Sequence, residues 1–350
     1  MSNHPVNAFC NNKDCPLCCG YIVGFVDGEG MFRLCKPTGR LAGFAEFAIK
    51  LRDDDSSILH SIKDFLGCGR VEYYPASKKG NPSCRYVVSG LDALVDVIIP
   101  FFENTRLRAK KARDFEIWKD GVHLIHVISN RDFKRIPTSD GRYAGVYPKW
   151  QSADVQSFIS LRDKLCAVRK FRLPGPKAYW HCLDQNCLSC RGYLHGLIDG
   201  EGYFTLLSRN RRAEGTCRFG IKLRQDDSDV IENVQRFLGC GVVRISPSFA
   251  TNHNPSIRLA VANLQHLNDI VIPLFDGGLR AKKLKDFKVW KQGVQLALNV
   301  KQRPFRQRGR RAGMLPKWTQ AELQMFCNLV ESLRGGRQYQ MAGVTAGGTF

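Results

Sequence analysis

The chain has 350 residues, 43% of them hydrophobic, which is enough for two domains with cores of their own. Lys and Arg number 53 against 32 Asp and Glu, and the resulting net charge of +21 points to a polyanionic partner, because each phosphate neutralised releases a condensed counterion. No stretch approaches the ~20 apolar residues of a membrane span. The opening MSNHPVNAFCNN has neither a secretory nor a transit pattern, and 14 cysteines then read as thiols or metal ligands rather than disulfides. The expectation is an intracellular protein, of an organelle or a bacterial cytoplasm, with no membrane partner.

In chain order, Gly20–Asp27 is an apolar helical stretch. Phe44–Arg52 alternates, with Phe47, Ile49 and Leu51 opposed to Glu46, Lys50 and Arg52, so it is a strand with one face on a core and one basic face. Asp54 and Asp55 ahead of Ser56 suit the cap of a helix to Phe65, which Gly67–Gly69 ends. Short strands are expected near Arg70–Tyr74 and Arg85–Ser89, and helices over Leu91–Phe102, Leu107–Leu124 and Ala153–Leu165. The pattern is then written again. GYIVGFVDGEGMF at Gly20 returns as GYLHGLIDGEGYF at Gly192, IKLRDDDS at Ile49 as IKLRQDDS at Ile221, FLGCG at Phe65 as FLGCG at Phe237, and LRAKK at Leu107 as LRAKK at Leu279, each 172 positions on. The fold class is α+β: two pseudo-symmetric αββαββα domains, each with a four-stranded antiparallel sheet, over residues 1–170 and 182–334. A stiff Pro-Gly-Pro linker spans 171–181, and 335–350 reads as a disordered tail.

The chemistry concentrates in the repeated nonamer. Gly20, Gly24 and Gly28, like Gly192, Gly196 and Gly200, recur every four residues and line one side of a helix, so two such helices can pack closely. Their C-terminal ends would bring Glu29 and Glu201 together, where the helix dipoles are already negative and a divalent cation is favoured. IVGFVDGEG at Ile22–Gly30 and LHGLIDGEG at Leu194–Gly202 resemble the motif of the LAGLIDADG homing endonucleases, and the likeness extends over nearly the whole chain. The resemblance implies a site-specific double-stranded DNA endonuclease whose paired sheets form a saddle on DNA. Glu29 and Glu201, with the carbonyls of Gly28 and Gly200, would hold Mg²⁺ or Mn²⁺, and Asp27 and Asp199 would be structural. It also places a basic residue near the cleaved phosphates. Lys110 and Lys282 are favoured, with Arg108 and Arg280 as the competing register. Leu51 and Leu223 stand where many relatives carry a polar residue, often Gln.

DNA contacts are expected from Arg33, Lys50, Arg52, Arg70 and Arg85 and from Arg218, Lys222, Arg224, Arg244 and Arg258, with the basic run Lys301–Arg311 on flanking phosphates. Two differing halves in one chain suit a monomer and a long site that is not strictly palindromic. The alternative is an RNA-binding intron maturase or a DNA-binding regulator on the same fold. Cys10, Cys15 and Cys18 precede the first motif, and Cys182, Cys187 and Cys190 the second, with the same spacing. They are candidates for structural zinc at the helix N-termini, with Cys19, His4 or His181 as a fourth ligand.

Overall fold

A computed structural model describes residues 9–35, 43–76, 80–131, 135–137, 139–140, 143–146, 150–180, 182–209, 214–247, 254–303 and 318–335. The first repeat runs α1 (Pro16–Glu29), β1 (Gly30–Cys35), β2 (Phe44–Arg52), α2 (Ser56–Leu66), β3 (Arg70–Tyr74) and β4 (Ser83–Val88). A helical segment follows, α3 (Leu91–Ala93) and α4 (Ile99–Thr105) joined by a π-turn, and then α5 (Lys111–Ser129), the hairpin β5 (Arg135–Pro137) and β6 (Tyr143–Val146), and α6 (Ser152–Val168). The second repeat supplies α7 (Leu188–Glu201), β7 (Gly202–Arg209), β8 (Glu214–Arg224), α8 (Ser228–Leu238), β9 (Val242–Ser246), β10 (Ser256–Val261), α9 (Leu264–His266), α10 (Ile272–Phe275), α11 (Lys283–Gln302) and α12 (Gln320–Gly335). Both main sheets are antiparallel and share one topology, β1-β2-β4-β3 and β7-β8-β10-β9. The expected αββαββα order is therefore met twice. Among the described residues, no helix is long and apolar enough to cross a membrane.

Each sheet buries one face against its own helices. Phe32, Phe47, Phe102, Phe115 and Trp118 stack in the first core, and Phe204, Phe219, Phe275, Phe287 and Trp290 repeat the cluster in the second. Between the cores lie α1 and α7, side by side and parallel. A helix apolar on all sides has to be buried on all sides, and in α1 every residue from Cys18 to Asp27 is buried. The glycines make this contact possible: a Cβ on Gly24 would sit 1.9 Å from the Tyr193 carbonyl oxygen, and one on Gly196 1.9 Å from that of Tyr21. Gly20 and Gly192 meet the opposite backbone nearly as closely. At the C-terminal ends the helices diverge slightly, and a Cβ on Gly28 would touch Glu201 Cγ at 3.4 Å, an ordinary contact.

Two local expectations change. LRAKK is not the first turn of a helix: α5 begins only at Lys111, and Leu107–Lys110 form a loop that crosses to α1. Asp55 occupies the cap position of α2 but makes no cap hydrogen bond. Its carboxylate is turned to the other repeat, accepting from the Lys282 backbone N–H at 2.9 Å. The linker is ordered by the second repeat, with Ala178 N–H donating to Asp229 and Trp180 edge-on to Tyr193 and Phe237. The basic run beyond Arg303 and the tail beyond Gly335 lie outside the described residues.

The helix contact predicts a graded response. Gly24→Ala and Gly196→Ala should each destabilise by more than about 3 kcal/mol, since backbone has to move, whereas Gly28→Ala should unfold near the parent in urea; equal midpoints for all three would contradict the packing. A second prediction concerns His195, where the first repeat has Val23. Burial drives its pKa from the ordinary 6.5 down to about 4, with the neutral ring donating from Nε2 to the Leu274 carbonyl at 2.8 Å. Between pH 6.5 and 4 the unfolded chain takes up a proton that the folded chain refuses, so stability falls as pH is lowered through this window. His195→Val should remove roughly 1.4 kcal/mol per pH unit of that fall, and parallel stability curves for the two proteins would rule it out.

Candidate active site

The site grows from the way α1 and α7 end. Each helix stops where an edge strand starts, α1 passing into β1 at Gly30 and α7 into β7 at Gly202. Glu29 and Glu201 therefore sit at the junction of the two helices and the facing edges of the two sheets. Both are half-buried, and among the described residues neither carboxylate has a hydrogen bond. Burial raises the pKa of both, the negative charge of Glu29 raises Glu201 further, and Lys111 and Lys283 pull both partly back. Two acids with unused lone pairs, beside helix C-terminal carbonyls, form an oxygen-rich site that attracts cations.

Asp27 and Asp199, read as structural acids, lock the helix pair to the loops. Asp27 Oδ2 accepts from the backbone N–H groups of Arg108 at 2.8 Å and Ala109 at 3.0 Å, and from Tyr193 Oη of the opposite helix at 3.1 Å. Asp199 Oδ2 repeats the set with Arg280, Ala281 and Tyr21. Burial lifts the Asp27 carboxyl to about 6 against these three donors. Tyr21 and Tyr193 are additions to the expected residues; their signal in the sequence is recurrence 172 positions apart, directly after a motif glycine.

The favoured lysine register is corrected. Lys110 Nζ reaches across to Asp226 and Asp227 of the second repeat, and Lys282 Nζ to Asp54 of the first. Both are spent on joining the domains. The neighbouring residues point to the acids instead: Lys111 Nζ donates to the carbonyls of Val26 at 3.0 Å and Gly28 at 2.5 Å, and Lys283 Nζ to those of Asp199 and Gly200. Burial lowers the pKa of both, opposed for each by Glu29, Glu201 and the aspartate of its own repeat. The alternative register fails as well, because the Arg108 and Arg280 guanidinium groups lie at the other end of the helices, against Cys190 and Cys18. The Gly28 and Gly200 carbonyls accept from the Lys111 and Lys283 ammonium groups.

On the outer sheet faces the ten expected cations divide. Arg52 and Arg224 are corrected: they are bound to Asp54 and Asp226, inside the interdomain network. In the first sheet Arg33 pairs with Glu46 at 2.6 Å, Arg85 also pairs with Glu46, and Arg70 pairs with Glu72 at 2.7 Å, while Lys50 stays exposed near the Tyr74 ring. At the positions of those two glutamates the second sheet has no acid. Its register aligns Lys222, Arg258 and Arg244 across three strands, as Lys50, Arg85 and Glu72 align in the first. Arg218 and Arg244 occupy the positions of Glu46 and Glu72, and among the described residues none of these four cations is paired. The first face pairs three of its four cations with two acids, whereas among the described residues the four cations of the second face have no acid partner.

The cysteines gather as expected at the N-termini of α1 and α7. In each triplet, Cys10, Cys15 and Cys18 or Cys182, Cys187 and Cys190, the three Sγ atoms lie within 4.8 Å of one another. Cys19 is not part of the first cluster; its thiol donates to the Lys13 carbonyl at 3.0 Å. His4 and His181 lie outside the described residues.

Comparison with known proteins matches this geometry. A family profile described as LAGLIDADG endonuclease fits residues 22–122 and again 194–294. The crystal structure of the I-SmaMI LAGLIDADG homing endonuclease bound to cleaved DNA superposes with a TM-score of 0.67 at 19% identity, over 95% of this chain and 99% of that one. I-GzeII in complex with its DNA target gives a TM-score of 0.67 at 20% identity, over 91% and 99%. A probable intron-encoded endonuclease of Neurospora crassa is 26% identical over 122 residues, 34% of this chain, and that match spans only 26% of the fungal protein. The homing endonuclease I-ApeII of Aeropyrum pernix is 25% identical over 120 residues, 33% of this chain and 68% of the relative.

The Lys110–Asp227 contact predicts a coupling between the domains. Lys110→Met and Asp227→Asn should each destabilise, and the double variant should lose less than the two singles together, by about 1–3 kcal/mol. Strict additivity in urea unfolding would show that the contact is not made in solution.

Proposed function

The chain belongs to the LAGLIDADG endonuclease family, and from that premise we propose that it is a site-specific endonuclease cutting both strands of a long, non-palindromic DNA duplex, as a monomer with one compound active site. The observation that carries this reading is the pair of half-buried carboxylates, Glu29 and Glu201, without hydrogen bonds at the joined helix ends and flanked by Lys111 and Lys283. With the carbonyls of Gly28 and Gly200 they offer an all-oxygen donor set that fits Mg²⁺ or Mn²⁺. A bound divalent ion supplies charge opposite the cleaved phosphodiester and acidifies its water.

The remaining chemistry falls to this chain's own side chains. Lys111 and Lys283 are held at the acids by helix carbonyls, with pKa values lowered by burial, so each is placed to donate to a phosphate oxygen or to pass a proton. Leu51 and Leu223 pack on the core and offer water no hydrogen bond, which leaves proton acceptance to these lysines or to solvent. Asp27 and Asp199 fix the loops that carry the lysines. The two sheet faces suit unlike half-sites: the part-exposed Glu72 adds an acceptor for cytosine or adenine amino groups, while Arg218, Lys222, Arg244 and Arg258 favour guanine edges and phosphates.

Cleavage of a randomised duplex library tests the proposal. Cuts should cluster at one long sequence with Mg²⁺, vanish with EDTA and vanish in Glu29→Gln/Glu201→Gln, whereas a protein that enriches a duplex or an intron RNA without cutting it is a regulator or maturase. Lys111→Met should lower cleavage by about 10²–10³-fold with duplex binding retained. Lys110→Met should cut normally once folded; the reverse order would restore the other register. In the same library Glu72→Gln should relax base preference in one half-site only, and relaxation of both would contradict the division of the faces.

A further inference from the structure

At the opposite end of the helix pair from the acids lie features that DNA cleavage does not use. The two cysteine triplets precede the two stretches matched by the family profile, share one spacing, and stand 172 positions apart. Cys10 and Cys18 Sγ are 3.5 Å apart, Cys182 and Cys190 Sγ 3.8 Å, and every cysteine is a free thiol. A zinc ion with Zn–S bonds near 2.3 Å holds tetrahedral thiolates about 3.8 Å apart, so the Cys10–Cys18 and Cys182–Cys190 separations suit two thiolates of such a tetrahedron, with the third sulfur of each triplet within 4.8 Å.

An independent observation concerns charge. Arg108 is 2% exposed. Its Nη1 lies 3.4 Å from Cys190 Sγ and its Nη2 3.2 Å from Ser189 Oγ, its plane rests against the Trp180 and Tyr193 rings, and its Nε has no partner. None of these contacts is a carboxylate. A guanidinium removed from water without an anion is costly by several kcal/mol. Neutral thiols leave that charge uncompensated, whereas one dication on three thiolates carries a net single negative charge against the arginine. The half-buried Arg280 lies beside the first triplet, with Nη2 3.7 Å from Cys18 Sγ and its plane over Phe9 and Tyr21. In both cases the arginine belongs to one repeat and the cysteines to the other.

We propose that Cys10, Cys15 and Cys18 bind one zinc ion, that Cys182, Cys187 and Cys190 bind a second, and that the anionic second site is the counter-charge for the buried Arg108 of the first repeat. The fourth tetrahedral position is open to water or another donor. The two zinc sites then clamp the N-terminal ends of α1 and α7 across the domain boundary.

The test uses the full chain, free of any tag and purified reduced without chelators. Metal analysis should find about two zinc per chain, and Cys15→Ser or Cys187→Ser should each leave about one. If a serine variant fails to fold, the parent protein still decides: an organomercurial should release the zinc, and exchange with Co²⁺ should give thiolate-to-cobalt absorption. Absence of zinc together with absence of that absorption, or iron in place of zinc, overturns the metal sites. For the charge clamp, Arg108→Met should lower the melting temperature of zinc-loaded protein more than that of zinc-stripped protein. An equal loss in both overturns the pairing of arginine with the metal site.

Discussion

Everything in this molecule hangs on two helix backbones lying in contact. Gly24 packs on the Tyr193 carbonyl and Gly196 on that of Tyr21, and no other residue type fits where a Cβ would fall 1.9 Å from an oxygen. Because α1 and α7 run parallel, this one contact brings together like ends: two acids at one end and two cysteine triplets at the other. Each tyrosine then hydrogen-bonds the aspartate of the opposite helix, and each aspartate holds the loop that aims a lysine or an arginine. Helix packing, loop placement and active-site composition are one linked arrangement, in which a shift of either helix moves every functional group.

Much of this was legible in the sequence, because duplication reports itself. Glycines at a four-residue spacing gave the close helix contact, the alternation over Phe44–Arg52 gave a strand with one buried face, and the repeated acids marked the candidate site. The lysine register was not legible. Lys110 and Lys111 are adjacent and chemically alike, and which one meets the acids is decided by Asp27, whose grip on the Arg108 and Ala109 amides delays the start of α5 until Lys111. Asp54 and Asp55 were hidden for a similar reason. Ahead of Ser56 they look like local caps, yet Asp55 accepts from the Lys282 backbone N–H and Asp54 from Lys282 Nζ, in the other repeat. Cross-strand pairs such as Arg33 with Glu46 require the register, which sequence alone leaves open.

Duplication followed by divergence also explains why the halves are equal in shape and unequal in chemistry. Several buried positions are repeated aromatic for aromatic, as Phe32 and Phe204 or Trp118 and Trp290 show. The outward positions are free to change sign, and Glu46 and Glu72 have Arg218 and Arg244 as their twins. Core constraints keep the two sheets superposable, while the exposed face is held only by what it meets. A single chain can thus present two different surfaces about one symmetric centre, which a dimer of identical subunits cannot.

The helix contact brings an acid of each repeat to one candidate cation site. Mn²⁺ binding to the protein on an uncleavable target duplex, followed by the paramagnetic resonance signal of the free ion, measures that site directly. Glu29→Gln and Glu201→Gln should each weaken the tight binding, and the double variant should lose it. Tight binding unchanged in either single variant would show that the two acids do not share a site.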